Sequence, residues 1–116
     1  MKIYHNPRCT KSRQTLELIR ESGVEPELVL YLETPPSTAE LDRLLKLLGM
    51  QPQNLFRKGE PLYKELGLKD RKLSRKEAIQ VLVDNPKLIE RPIVVSGNRA
   101  VLGRPPENVR ELLNDE

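Results

Sequence analysis

His5 and Cys9 are the single histidine and the single cysteine of this 116-residue chain, and the stretch HNPRCTKSR holds them four positions apart with Arg8, Lys11 and Arg13. Positive charge beside a thiol favours its ionised form, and the thiolate is the reactive nucleophile. A free thiol titrates near ~8.5, and cationic neighbours or a helix N-terminus lower that by one or several units. His5 can favour the thiolate through a charged ring or by ordering the loop with hydrogen bonds, and the Asn6 amide can orient either group. One Cys and one His fall short of the three or four ligands of a typical protein metal site, so no metal is expected. Buried cysteines are commonly inert small hydrophobes. The setting of Cys9 decides against that reading.

Upstream, KIY (2–4) is a short strand candidate that runs into the Asn6-Pro7 break. Downstream, SRQTLELIRESG reads as a helix with Leu16, Ile19 and Arg20 on one side and Gly23 as its stop. A cysteine between strand and helix faces the unpaired N–H groups of the helix start, where partial positive charge stabilises an anion. ELVLYL (27–32) has the content of a second strand, completing a β-α-β unit.

After Pro35-Pro36, Ser37 and Glu40 have capping-box spacing, and Leu41, Leu44, Leu45 and Leu48 follow at helical intervals up to Gly49. Residues 50–73 mix Pro52, Gly59, Pro61 and Gly67 with short apolar pieces, which predicts brief helical turns. Ser74 and Glu77 repeat the capping spacing ahead of Ala78, Ile79, Leu82 and Val83, and Asn85-Pro86 ends that helix. PIVVSGNRAVLG reads as a hairpin turning at Ser-Gly-Asn, followed by Pro105-Pro106 and a last helix with Val109, Leu112 and Leu113 on one face. The order is that of an α/β sandwich with a mixed sheet. It is also the plan of thioredoxin-like folds, and by that reading the parallel half and the hairpin half share one four-stranded sheet in the order 2-1-3-4. One domain over 1–116 is expected, with a helical insertion at about 37–85 and flanking helices.

Composition narrows the partners. The chain is 32% charged and 3% aromatic, so its core is aliphatic. A net charge of +3, dispersed along the chain, is unlike the footprint of a nucleic-acid binder. No apolar run approaches a membrane span, and MKIYHNP lacks a signal-peptide core, so a cytoplasmic protein with a reduced thiol is expected. Small anions remain as partners. Arg57 ends a short helical piece, Arg91 precedes Pro92 at the head of a strand, and Arg104 precedes Pro105-Pro106 at the head of the last helix. Converging guanidinium groups would neutralise a tetrahedral dianion through paired N–H donors, although residue type alone does not single these three out.

The segments YHNPRCTKSR, EPELVLYLETPPS, LFRKGEPLYKELGL, NPKLIERPIVV and GRPPE, in this order, closely resemble the glutaredoxin-linked arsenate reductase family of ArsC type. The resemblance runs across nearly the whole chain. It implies a thioredoxin-like fold in which Cys9 attacks arsenate and Arg57, Arg91 and Arg104 hold the oxyanion. The motif's histidine and asparagine match His5 and Asn6, and Ser12 and Arg13 fall in the anion loop. It further implies a Cys-arsenate adduct passed to glutathione and reduced by glutaredoxin, with no bound cofactor, and a cis Arg91-Pro92 peptide before the third strand. Within the family the sequence is similar to a shorter, chromosomally encoded branch. Arg8 and Lys11 stand where better-studied members carry small residues.

A single cysteine has no internal resolving thiol, so an external thiol must finish the cycle. Two other readings share the fold. One is a monothiol oxidoreductase or a reductase of another oxyanion. The other is an Spx-type transcriptional regulator binding RNA polymerase, whose redox-sensing members carry C-x-x-C where this chain has Cys9-Thr10-Lys11-Ser12.

Overall fold

In the computed structural model, which describes residues 1–113, strand β1 is Lys2–Tyr4 and helix α1 is Thr10–Glu21, with Cys9 as its N-cap. The buried stripe of α1 is Ser12, Thr15, Leu16 and Ile19, spaced i, i+3, i+4, i+7. Arg20, on the same side as Leu16 and Ile19, keeps its head at the surface and clasps Glu25, with Nη2 2.9 Å from Oε1. A guanidinium has no partner inside an aliphatic core, so it stays with a carboxylate at the rim.

Strand β2, Glu27–Val29, lies parallel to β1 and is half the length expected for ELVLYL. The reason is its neighbour. Strand β1 stops at Tyr4, and after His5 N–H has bonded Val29 O at 2.9 Å no ladder partner remains. The chain then turns, with Glu33 and Thr34 N–H both donating to Leu30 O, and Tyr31 is buried rather than paired in the sheet.

The chain divides into two compact units, one of Met1–Thr34 with Arg91–Glu116 and the other of Pro35–Glu90. In the second unit, α2 is Thr38–Leu48, with Ser37 Oγ accepting Glu40 N–H at 3.1 Å and Gly49 closing the helix in the left-handed region at φ 67°. Short 3-10 turns at Pro52–Leu55 and Leu68–Asp70 flank α3, Pro61–Glu65, as the Pro and Gly spacing predicts. Helix α4, Arg75–Asp84, carries a reciprocal Ser74/Glu77 capping box and meets α2 through Arg75 Nε and Asp42 Oδ1 at 2.9 Å.

The first unit resumes at Arg91-Pro92, a cis peptide as the resemblance implies; Arg104-Pro105 is cis as well, which no sequence signal suggested. Strands β3, Ile93–Ser96, and β4, Arg99–Leu102, form the hairpin, and Gly97 supplies the positive φ of 60° at the first loop position. The sheet order is β2-β1-β3-β4, mixed as expected, with Tyr4 opposite Ile93 and Lys2 opposite Val95. The last helix divides into a 3-10 turn, Pro106–Val109, and a single α-turn, α5, Arg110–Leu113. Ile3, Leu16, Ile19, Val94, Val109 and Leu112 make one aliphatic core between sheet and helices. Each such side chain stabilises the fold by about 1.5–3 kcal/mol on burial. No helix among the described residues is long and apolar enough to cross a membrane.

Candidate active site

The site starts at the break between β1 and α1. Asn6 organises it through its backbone and its side chain: Cys9 N–H donates to Asn6 O at 3.0 Å, and Arg8 N–H donates to Asn6 Oδ1 at 3.0 Å. Such local bonds fold the loop back and hold Cys9 in an extended N-cap conformation, φ −94° and ψ 122°. Arg13 braces the outside, its Nη1 donating to Pro7 O at 3.0 Å and its Nη2 to Thr10 Oγ1 at 3.3 Å.

Burial is the largest influence on the Cys9 thiol and pushes its pKa up. The opposing influences together win, and the pKa is lowered: the backbone N–H of Ser12, the charge and donor groups of the Arg91 guanidinium and the backbone N–H of Lys11 all favour the thiolate. The ionised form is thus favoured by amides of the first helical turn and by one guanidinium.

Behind the loop, Ser12 is fully buried. Its Oγ lies 2.6 Å from His5 Nδ1 and accepts Asn6 N–H at 3.1 Å. The hydroxyl therefore ties β1, loop and helix together, while the Ser12 backbone N–H favours the Cys9 thiolate. Burial first, and then the charges of Arg20 and Arg13, lower the pKa of His5. Of the two roles open to this ring, charge and position, the environment favours position.

Arg91 is 5% exposed, yet its Nε and Nη1 have no hydrogen-bond partner among the described residues. A buried polar group left unpaired costs about 1–3 kcal/mol, and more when charged. Idle N–H donors on a guanidinium are able to bond the oxygens of an anion. Arg104 is brought to the same place, its Nη1 donating to Arg91 O at 3.3 Å, while Asn108 Nδ2 holds Arg104 O at 3.2 Å. Arg57 belongs to the Pro35–Glu90 unit, where its N–H bonds Leu88 O at 2.7 Å and its Nη1 lies 3.4 Å from Glu60 Oε2. Among the described residues no three His, Cys, Asp or Glu side chains group as metal ligands would.

The family model described as the ArsC family matches residues 4–112. The chain belongs to the ArsC family. It is 60% identical over 114 residues to the protein YfgD of Escherichia coli strain K12, covering 97% of this chain and 96% of that one. It is 43% identical over 114 residues to the arsenate reductase of Neisseria meningitidis serogroup A, covering 97% of each. The solved structure of the arsenate reductase from Vibrio cholerae matches with a TM-score of 0.91 at 49% identity, over 96% of this chain and 97% of that one. The mixed sheet and its flanking helices are therefore the thioredoxin-like fold of the ArsC family.

One close approach in this ArsC family member escaped sequence reasoning. A Cβ placed on Gly103 would lie 2.7 Å from Thr15 Oγ1 and 2.8 Å from Pro92 Cγ, so glycine lets the end of β4 pass against α1 and the cis proline. The signal was present in part, since Ser12 and Thr15 are polar residues on the stripe that also carries Leu16 and Ile19.

Proposed function

We propose that this chain is an arsenate reductase that uses Cys9 as nucleophile, with glutathione and glutaredoxin supplying the electrons in a reducing, cytoplasmic setting. The observation that carries the reading is the buried Arg91 guanidinium, with Nε and Nη1 unpartnered beside a thiol of lowered pKa. Its two idle donors suit two oxygens of a tetrahedral oxyanion, and its charge offsets both substrate and thiolate. The backbone N–H groups of Lys11 and Ser12 favour the thiolate form of the nucleophile. The family resemblance adds Arg57 and Arg104 to the oxyanion-binding residues.

In this scheme the Cys9 sulfur bonds to arsenic, and one arsenate oxygen leaves as water after taking up two protons. Arsenic stays pentavalent. A first external thiol then replaces a second oxygen, again released as water. A second thiol attacks the sulfur of the first; a disulfide forms, the electron pair of the broken S–As bond stays on arsenic, and arsenic becomes trivalent. Hydrolysis of the Cys9–arsenic bond consumes one water, frees arsenite and restores the thiol. The sum is arsenate plus two thiols giving arsenite, a disulfide and one water.

The deciding experiment is arsenite production with arsenate, glutathione and glutaredoxin supplied. Wild type should turn over and Cys9→Ser should not. Equal rates for the two proteins would dismiss the proposal.

A further inference from the structure

Arg8 and Lys11 are the two cations of the Cys9 loop that neither the thiolate nor the fold consumes. Arg13 is tied to Pro7 and Thr10, Arg20 to Glu25, and Arg91 lies buried beside the sulfur. The side chains of Arg8 and Lys11 are exposed and have no hydrogen-bond or ion-pair partner among the described residues. Their backbones are nonetheless held in place, Arg8 by its N–H on Asn6 Oδ1 and Lys11 by the first turn of α1. One is the residue before Cys9 and the other lies in the first turn of α1, so two exposed, uncommitted cations stand within two residues of the nucleophile, in addition to the buried Arg91.

We propose that Arg8 and Lys11 recognise the carboxylates of an anionic small thiol that attacks at Cys9, and so select the external thiol by charge. The inference rests on the proposed thiol-dependent cycle. Once an oxyanion occupies the Arg91 donors and bonds the sulfur, the adduct is itself negative and repels an anionic thiol. Two exposed cations within two residues of Cys9 offset that repulsion and raise the local concentration of the incoming anion. They lie too far out in solvent to replace Arg91 as the buried partner of the oxyanion.

The test uses disulfides, because the reverse exchange needs neither arsenate nor turnover. The Cys9 thiolate attacks one sulfur of a disulfide, a mixed disulfide forms at Cys9, and the other half leaves as a thiolate. Rate constants are measured for glutathione disulfide, which is anionic, for neutral hydroxyethyl disulfide and for cationic cystamine. Taking the ratio to the neutral reagent cancels any change in the reactivity of Cys9 itself. In wild type the anionic reagent should be favoured over the cationic one, and the preference should fade as ionic strength rises. In R8A/K11A the ratio of glutathione disulfide to the neutral reagent should fall about tenfold, and R8E/K11E should favour cystamine. An unchanged ratio in both variants overturns the proposal. Unchanged small-molecule ratios with slowed reduction by glutaredoxin would also overturn it, by assigning the two cations to a protein surface instead. A chain that failed to reduce arsenate would still give a clear result in this assay, so the two proposals fail separately.

Discussion

Ser12 Oγ stands 2.6 Å from His5 Nδ1 and accepts the N–H of Asn6 at 3.1 Å, so one buried hydroxyl joins the end of β1 to the first turn of α1. The Ser12 backbone N–H is also one of the groups that lower the Cys9 pKa. The loop that carries the nucleophile is therefore anchored by a hydroxyl that is itself fully buried.

Replacing that hydroxyl should cost stability. Ser12→Ala strands the Asn6 N–H and His5 Nδ1 in the interior, and a loss of about 1–3 kcal/mol is expected from urea unfolding. Ser12→Thr, which keeps the oxygen but adds a methyl where no space is free, should lose less than Ser12→Ala only if the hydrogen bonds dominate over packing.

Arg91 should set the acidity of Cys9. Arg91→Met removes a charge and a donor from the thiolate while filling similar volume, so the midpoint of the alkylation-rate profile should move to higher pH. Protection of Cys9 by arsenate should weaken in the same variant. There is also a stability signature. The folded thiol ionises more readily than the unfolded one, so this contribution is fully present above the unfolded pKa of about 8.5 and is lost as pH falls through the folded value. The rise in stability on going alkaline should be smaller in Arg91→Met.

His5 should produce the opposite end of the pH profile. Its folded pKa lies below the ordinary value because of burial and the charges of Arg20 and Arg13, so between the two values the unfolded chain holds more protons. Stability then rises with pH across that window, and it should fall on acidification from about pH 6.5 toward the folded value. Unfolding midpoints measured across the window should show this slope in wild type and a reduced one in His5→Gln.

Gly103 should tolerate no side chain. The Cβ of Gly103→Ala would press on Thr15 Oγ1 and Pro92 Cγ, and overpacking of this kind costs about 1–3 kcal/mol. Adding Thr15→Ala removes one of the two obstructions, so the double variant should be more stable than the sum of the single losses predicts. Simple additivity in thermal or urea unfolding would argue against this contact.

In the core, Ile19→Ala should cost about 2–5 kcal/mol, because Ile19 is fully buried among Ile3, Leu16 and Val94 in the aliphatic cluster. Urea unfolding measures it directly.

What the sequence determined by itself was local. Cys9 at the start of a helix, the Ser74/Glu77 cap, the Gly97 turn and the leucine face of α2 all rest on interactions within a few residues, and spacing encodes those. The strand order followed from the thioredoxin-like plan that the order of elements shares, since the long stretch between Val29 and Ile93 sets no limit of its own on where β3 pairs. Tertiary structure decided the rest. The register of β1 against β3, with Tyr4 opposite Ile93, brings Arg91 to Cys9 across some eighty residues, and no periodicity in the chain marks that pairing. Likewise ELVLYL could be read as six strand residues, but β2 ends where β1 offers nothing further to bond. A buried arginine with idle donors, or a serine locked onto a histidine, exists only once distant segments exclude water from both. For that reason the sequence could name the nucleophile, while only the folded chain shows how its charge is held.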